Sequence, residues 1–167
     1  MNNAWETIAH CLREELEEYG GLLGLFEEQQ NALFRRDANG VLATVGAIES
    51  QAQSATIKRK RREQLVSDFA RSNEMAGDSP LRSLLPLFPQ SVRPMMEALI
   101  DEVNRLIHRT RKHARQNADL LQRTIEMHQE ALRSLRPDLF TKTYSPRGQI
   151  SVATTNPSPR VSLEAVG

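Results

Sequence analysis

The chain has one cysteine, Cys11, in 167 residues. A single thiol excludes an internal disulfide and any metal site built from several cysteines. Cys11 sits beside Leu12 in an apolar pattern, which reads as a buried thiol rather than a nucleophile. Aromatic residues make up only 5%, and long apolar runs are missing. The longest apolar cluster, Leu22 to Phe26, is interrupted by Gly24 and is too short to span a bilayer. The N-terminal region carries Glu6, Glu14, Glu15, Glu17 and Glu18 and lacks the basic start and apolar run of a secretory signal. A cytoplasmic protein is therefore expected. Catalytic patterns are missing too. No Glu stands three residues before His10, His108, His113 or His128, as di-iron bundles require. There is no H-E-x-x-H, no Walker-type loop and no Gly-x-Ser-x-Gly. Glu126, His128 and Glu130 alternate, which on a helix points them to different faces. Neither an enzyme nor a cofactor is expected.

What is abundant is Leu, Arg, Glu, Gln and Ala, with 26% charged residues and a net charge of +1. This is the composition of long helices rather than of a sheet core. The clearest pattern runs from Ser91 to Arg136. Apolar residues recur at Met96, Leu99, Val103, Leu106, Leu121, Ile125, Leu132 and Leu135, in threes, fours and their sums. Ser91 is placed to cap the start, Pro94 suits the first turn, and nothing breaks the pattern before Pro137. At 1.5 Å per residue the helix is roughly 65–70 Å long and needs partners along most of it. Its seam turns polar at Thr110, His113, Ala114 and Asn117, which reads as a register device. After Asn117, the residues Leu120, Leu121, Ile125, Met127, Leu132 and Leu135 supply more apolar surface than one seam requires.

A first helix is predicted over residues 3 to about 36. Its apolar face runs through Trp5, Ile8, Leu12, Leu16, Tyr19, Leu23, Phe26, Leu33 and Phe34. Gly20, Gly21 and Gly24 mark either a close helix approach or a kink. The segment Asp37-Ala38-Asn39-Gly40 reads as the chain reversal. A second helix follows from Val41 to about Met75, faced by Val41, Val45, Ile48, Ala52, Ala55, Leu65, Val66 and Phe69. Ser79-Pro80 starts a short linking turn, with Leu84, Leu85, Leu87 and Phe88 as an apolar plug at one end of the bundle. Pro137, Pro146, Pro157 and Pro159 then fall among Ser, Thr, Asn and Gly, a composition too poor in apolar surface to order itself. The expected fold is all-α: an elongated antiparallel bundle of three long helices with a short linking helix, residues 1–136, and a disordered C-terminal tail, residues 137–167.

Two basic stretches stand out, Lys58-Arg59-Lys60-Arg61-Arg62 in the second helix and Arg105, Arg109, Arg111, Lys112 and Arg115 in the third. Without interleaved aromatics they do not read as a nucleic-acid site. The first helix, with seven Glu against one Arg before residue 35, is available to face both, so internal charge complementarity is expected.

The string Asn117 to Leu135 (NADLLQRTIEMHQEALRSL), followed by Thr143-Tyr144 and Gly148-Gln149, resembles the C-terminal half of the FlgN-type flagellar export chaperones. The Pro-rich end past Ile150 adds nothing to that likeness. The resemblance implies a cytoplasmic chaperone of the flagellar type III export system. It would bind the C-terminal segments of hook-associated proteins, prevent their premature assembly and deliver them to the export gate. The residues placed for cargo are Asn117, Leu121, Ile125, His128, Leu132 and Leu135. Tyr144, the only aromatic after Phe140, is placed to dock onto the cytoplasmic domain of the gate's membrane component. The partners expected are thus proteins and not nucleic acid, with a homodimer left open. A coiled-coil adaptor unrelated to flagella is the alternative, followed by a nucleic-acid-binding helical protein built on Lys58 to Arg62.

Overall fold

The computed structural model describes residues 4–136, 140–144 and 150–154, the last two segments through their backbone. Helices α1 (Ala4–Phe34), α2 (Ala38–Ser72), α3 (Leu81–Leu84) and α4 (Arg93–Leu135) dominate, with a 3-10 turn at Leu85–Leu87 after α3. Strands β1 (Phe140–Tyr144) and β2 (Ile150–Thr154) follow. The chain divides into two compact units, Met1–Leu120 and Leu121–Gly167.

In the first unit, α1 and α2 form a tight antiparallel pair. The reversal between them comes earlier than Asn39-Gly40. Arg36 takes the left-handed conformation at φ 56°, and the amides of Arg36 and Asp37 reach back to the carbonyls of Leu33 and Ala32. This is a Schellman closure with arginine where glycine is usual. Asp37 then caps α2, its Oδ1 accepting from the Gly40 amide at 2.9 Å. An acidic cap satisfies amides that the first turn leaves open, so the helix starts at Ala38 instead of Val41. Gly40 is needed for close approach: a Cβ there would lie 2.5 Å from Asp37 Oδ2. α2 ends in the same way, with Glu74 at φ 60° and the Met75 amide bonded to the Ala70 carbonyl.

The glycines of α1 divide. Gly21 lies where a Cβ would come within 3.0 Å of Gln51 Nε2, whereas Gly20 and Gly24 face open space. Gln51 donates to the Glu18 carbonyl and carboxylate across this contact. A close approach therefore explains Gly21 only, and α1 runs through all three glycines unbroken.

One cluster of the core joins Ile8, Ala9 and Leu12 of α1 with Val66 and Ala70 of α2, Leu81 and Leu84 of α3, Phe88, and Met96, Ile100 and Val103 of α4. The expected plug is thus formed by Leu81, Leu84 and Phe88, whose ring lies 5.1 Å from that of Phe69, while Leu87 points to solvent. Arg93 holds the plug to the start of α4, donating to the Phe88 and Pro86 carbonyls at 2.9 and 2.7 Å. A second cluster gathers Tyr19, Leu22 and Ala55, with Phe26, Ile48, Ala52, Leu106 and Ile107 around them. Phe34 and Val45, expected on apolar faces, are exposed.

In the second unit, β1 and β2 pair antiparallel, from Phe140 opposite Thr154 to Tyr144 opposite Ile150. Over these ten residues the expectation of a tail without regular structure is corrected. The residues Thr141, Thr143, Ile150 and Val152 are β-branched and suit an extended ladder. Residues 145–149, between the strands, lie outside the described residues.

Candidate binding face on the last helix

α4 changes character along its length. As far as Asn117 its inner face is covered: Met96, Ile100, Val103, Thr110 and Asn117 are buried. Beyond Leu120 the described apolar residues are bare. Leu121, Ile125, Leu132 and Leu135 range from 41% to 78% exposed, and His128 is exposed with them. These five residues follow one another at steps of four, three, four and three, which is heptad spacing. The stripe is about 20 Å long at 1.5 Å per residue.

Gln122, Gln129 and Arg136 recur at steps of seven along one flank of the stripe, and Thr124 and Ala131 lie on the other. The remaining charges of this segment, Arg123, Glu126, Glu130 and Arg133, lie farther round the helix, where Glu126 accepts from Gln122 at 2.8 Å and Arg133 pairs with Glu130 at 3.6 Å. The rim of the stripe is thus mostly uncharged, a pattern that escapes a search for apolar spacing alone.

Asn117 stands apart from the other expected cargo residues. It is 3% exposed, and its Nδ2 donates to the Phe26 carbonyl at 2.8 Å and to Gln29 Oε1 at 3.1 Å. It ties α4 to α1 and offers no surface in this state, which fits the register reading of the polar seam. Thr110 Oγ1, His113 Nδ1 and Asn117 Oδ1 are buried without hydrogen-bond partners, so the seam's polar centre is incompletely satisfied. His113 Nε2 lies 4.0 Å from Glu27, which also meets Arg109 at 3.7 Å. Tyr144 ends β1 opposite Ile150.

The basic run in α2 is answered from α1. Lys58 and Arg61 meet Glu14 at 2.5 and 3.5 Å, and the Lys58 ammonium holds the Glu14 carboxyl below its ordinary value. Arg62 grips Glu15 through both guanidinium arms, at 2.5 and 3.4 Å. Glu15 is fully buried. A carboxylate there is tolerable only with such a partner. Internal complementarity therefore explains this run. In the same neighbourhood burial pushes the Cys11 thiol above its ordinary value, so the thiol is the less reactive form. Among the described residues no cluster of three or more His, Cys, Asp or Glu is placed to hold a metal, and no helix is long and apolar enough to cross a membrane.

The described residues are thus mostly helical, and the last helix leaves a heptad-spaced apolar stripe exposed. The FlgN protein family matches residues 1–151, and the chain belongs to that family. This is a family of flagellar export chaperones, not of enzymes. Neither the curated proteins nor the solved structures contain a significant match to the chain.

Proposed function

We propose that this chaperone covers the C-terminal segments of hook-associated proteins in the cytoplasm, keeps them from assembling early, and carries them to the cytoplasmic domain of the export gate. The observation that carries the reading is the bare stripe Leu121, Ile125, His128, Leu132 and Leu135. An amphipathic segment laid along it would bury its apolar face at heptad spacing. The stripe is short, so the contact is expected to be modest in strength and easily released, as delivery requires. Asn117 and the polar seam keep the helices in register beneath it.

Tyr144 serves in this reading as the contact to the gate. Its place in a strand presents it on a short ordered element, which lowers the ordering cost of docking. A two-stranded hairpin is only marginally stable alone, so docking also stabilises the hairpin. The test is a pull-down with two baits, a hook-associated C-terminal segment and the gate's cytoplasmic domain. Tyr144→Ala should lose the gate and keep the cargo. Retention of the gate, or loss of the cargo instead, would show the assignment to be wrong. Capture of neither bait by the unaltered protein would overturn the whole reading. A homodimer through the stripe is the competing use, and a stable dimer in sedimentation that persists when cargo is added would favour it.

A further inference from the structure

The two basic stretches have different fates. α1 answers Lys58, Arg61 and Arg62 of the run in α2 through Glu14 and Glu15, whereas in α4 it meets only Arg109 and His113, both through Glu27. Between Val103 and Ala118, α4 carries Arg105, His108, Arg109, Arg111, Lys112, His113 and Arg115 and no acidic residue, and all of these but the half-buried His113 are exposed. Arg105 pairs with Glu102 one turn back at 2.7 Å, and Arg109 approaches Glu27 at 3.7 Å. Arg111, Lys112 and Arg115 have no ion-pair partner among the described residues.

An ordinary solvated helix face intersperses signs, because like charges three and four residues apart repel. The same helix does so farther along, where Glu126, Glu130 and Arg133 alternate with neutral residues. Around Arg111 it does the opposite. Arg105 and Arg109, Arg109 and Lys112, Arg111 and Arg115, and Lys112 and Arg115 are all like pairs at those spacings. The concentration costs stability in the isolated protein and is relieved by an anionic counterpart.

We propose that this outer face of α4 binds an anionic phospholipid surface. The apolar face of α4 here is buried in the bundle, so insertion is excluded and the contact is peripheral and electrostatic. The segment has no aromatic residue on which a nucleic-acid base would stack. The cations cover a broad convex arc. Neither the cavity of about 460 Å³ lined by Leu12, Arg62, Leu81, Ile100 and Val103 nor the one along Glu27, Glu28 and Phe34 includes them. A folded protein partner needs a matching acidic relief, whereas mobile headgroups gather around point charges on any convex surface; a duplex groove also admits a basic helix and is made an outcome of the test. Such binding keeps the protein near the bilayer, independently of cargo and of the gate.

The experiment is flotation of the full chain, without cargo, with vesicles of phosphatidylcholine alone and of an equimolar mixture with phosphatidylglycerol. The expected result is flotation with the mixed vesicles only, lost at high salt because screening shortens the field. The triple variant Arg111→Gln, Lys112→Gln, Arg115→Gln should bind at least about tenfold more weakly with an unchanged melting curve. A charge-matched control, Arg35→Gln, Arg36→Gln, Arg71→Gln, should bind like the parent. Equal flotation with neutral vesicles, no flotation with the mixed ones at low salt, or equal losses in the two triple variants would overturn the proposal. So would tighter binding to duplex DNA, to polyuridylic acid or to polyglutamate than to the mixed vesicles.

Discussion

Replacing both Leu132 and Leu135 with alanine should weaken cargo binding and leave the bundle's stability unchanged. Burying a leucine fully is worth about 1.5–3 kcal/mol relative to leaving it in water. Leu132 is 51% exposed and Leu135 is 78% exposed, so a partner covering both would gain a large part of that value from each. Truncation to alanine removes most of the gain, about 2–3 kcal/mol for the pair, which is a loss of roughly 30- to 150-fold in affinity. Stability should not follow, because the lost atoms are already wet and alanine is at least as good a helix former as leucine. Leu12→Ala, at a site 1% exposed, supplies the contrast and should cost about 2–5 kcal/mol of folding free energy. Titration calorimetry against a hook-associated C-terminal peptide reads the first effect, and thermal melts read the second. Unchanged affinity in the double variant would refute the placement of cargo on this face. A fall in melting temperature like that of Leu12→Ala would show that the two leucines belong to a core.

Glu15→Gln should destabilise the protein by about 2–3 kcal/mol, because it leaves the mostly buried guanidinium of Arg62 without its counter-charge; the double change Glu15→Met, Arg62→Met should recover most of that loss in chemical denaturation. Arg36→Gly should raise the melting temperature by about 2–4 °C, a gain of up to about 1 kcal/mol, since φ 56° strains any side-chain-bearing residue; no rise would mean that unfolded-state entropy cancels the relief. Glu14, whose folded pKa lies below its ordinary 4.5 through the hydrogen bond from Lys58, contributes stability that is present above pH 4.5 and fades as pH falls through the lower folded value. Lys58→Met should therefore flatten the acid limb of a stability-against-pH curve, and an unchanged limb would remove this pair from the account.

The helices were legible in the sequence wherever an apolar period and an unambiguous stop coincided. Pro137 lies just beyond the end of α4, and the long seam from Met96 to Leu135 required one helix. The reversal after α1 was misplaced because Asn-Gly is the stronger left-handed signal in isolation, whereas the capping geometry of Asp37 and Gly40 settled the matter through contacts a pattern does not show. Glu15 was one of seven glutamates of the first helix available to face the basic stretches, and which of them is buried depends on Arg62 reaching it from the other helix. The β1–β2 pair was missed because ten β-prone residues lie among prolines and polar residues that by composition oppose order. For the face on α4, apolar spacing marked Leu121, Ile125, Leu132 and Leu135, which the structure leaves exposed, whereas Asn117, named with them, is anchored to α1.

The boundary at Asn117 has a physical consequence for a protein that must both hold and let go. If the apolar packing of Ile8, Leu12 and Met96 continued without interruption to Leu135, covering the end of α4 would be part of folding, and release would require partial unfolding. Thr110, His113 and Asn117 interrupt that continuity with polar atoms that are costly to bury and only partly paired. Below them, the clusters around Leu12, Leu84 and Met96 and around Tyr19, Leu22 and Ala55 provide stability that no partner supplies. Beyond them along α4, Leu121, Ile125, Leu132 and Leu135 are exposed and belong to neither cluster. On the proposed reading, occupancy of the stripe is uncoupled from the packing of those clusters, so a bound segment would leave at the cost of its own contacts alone.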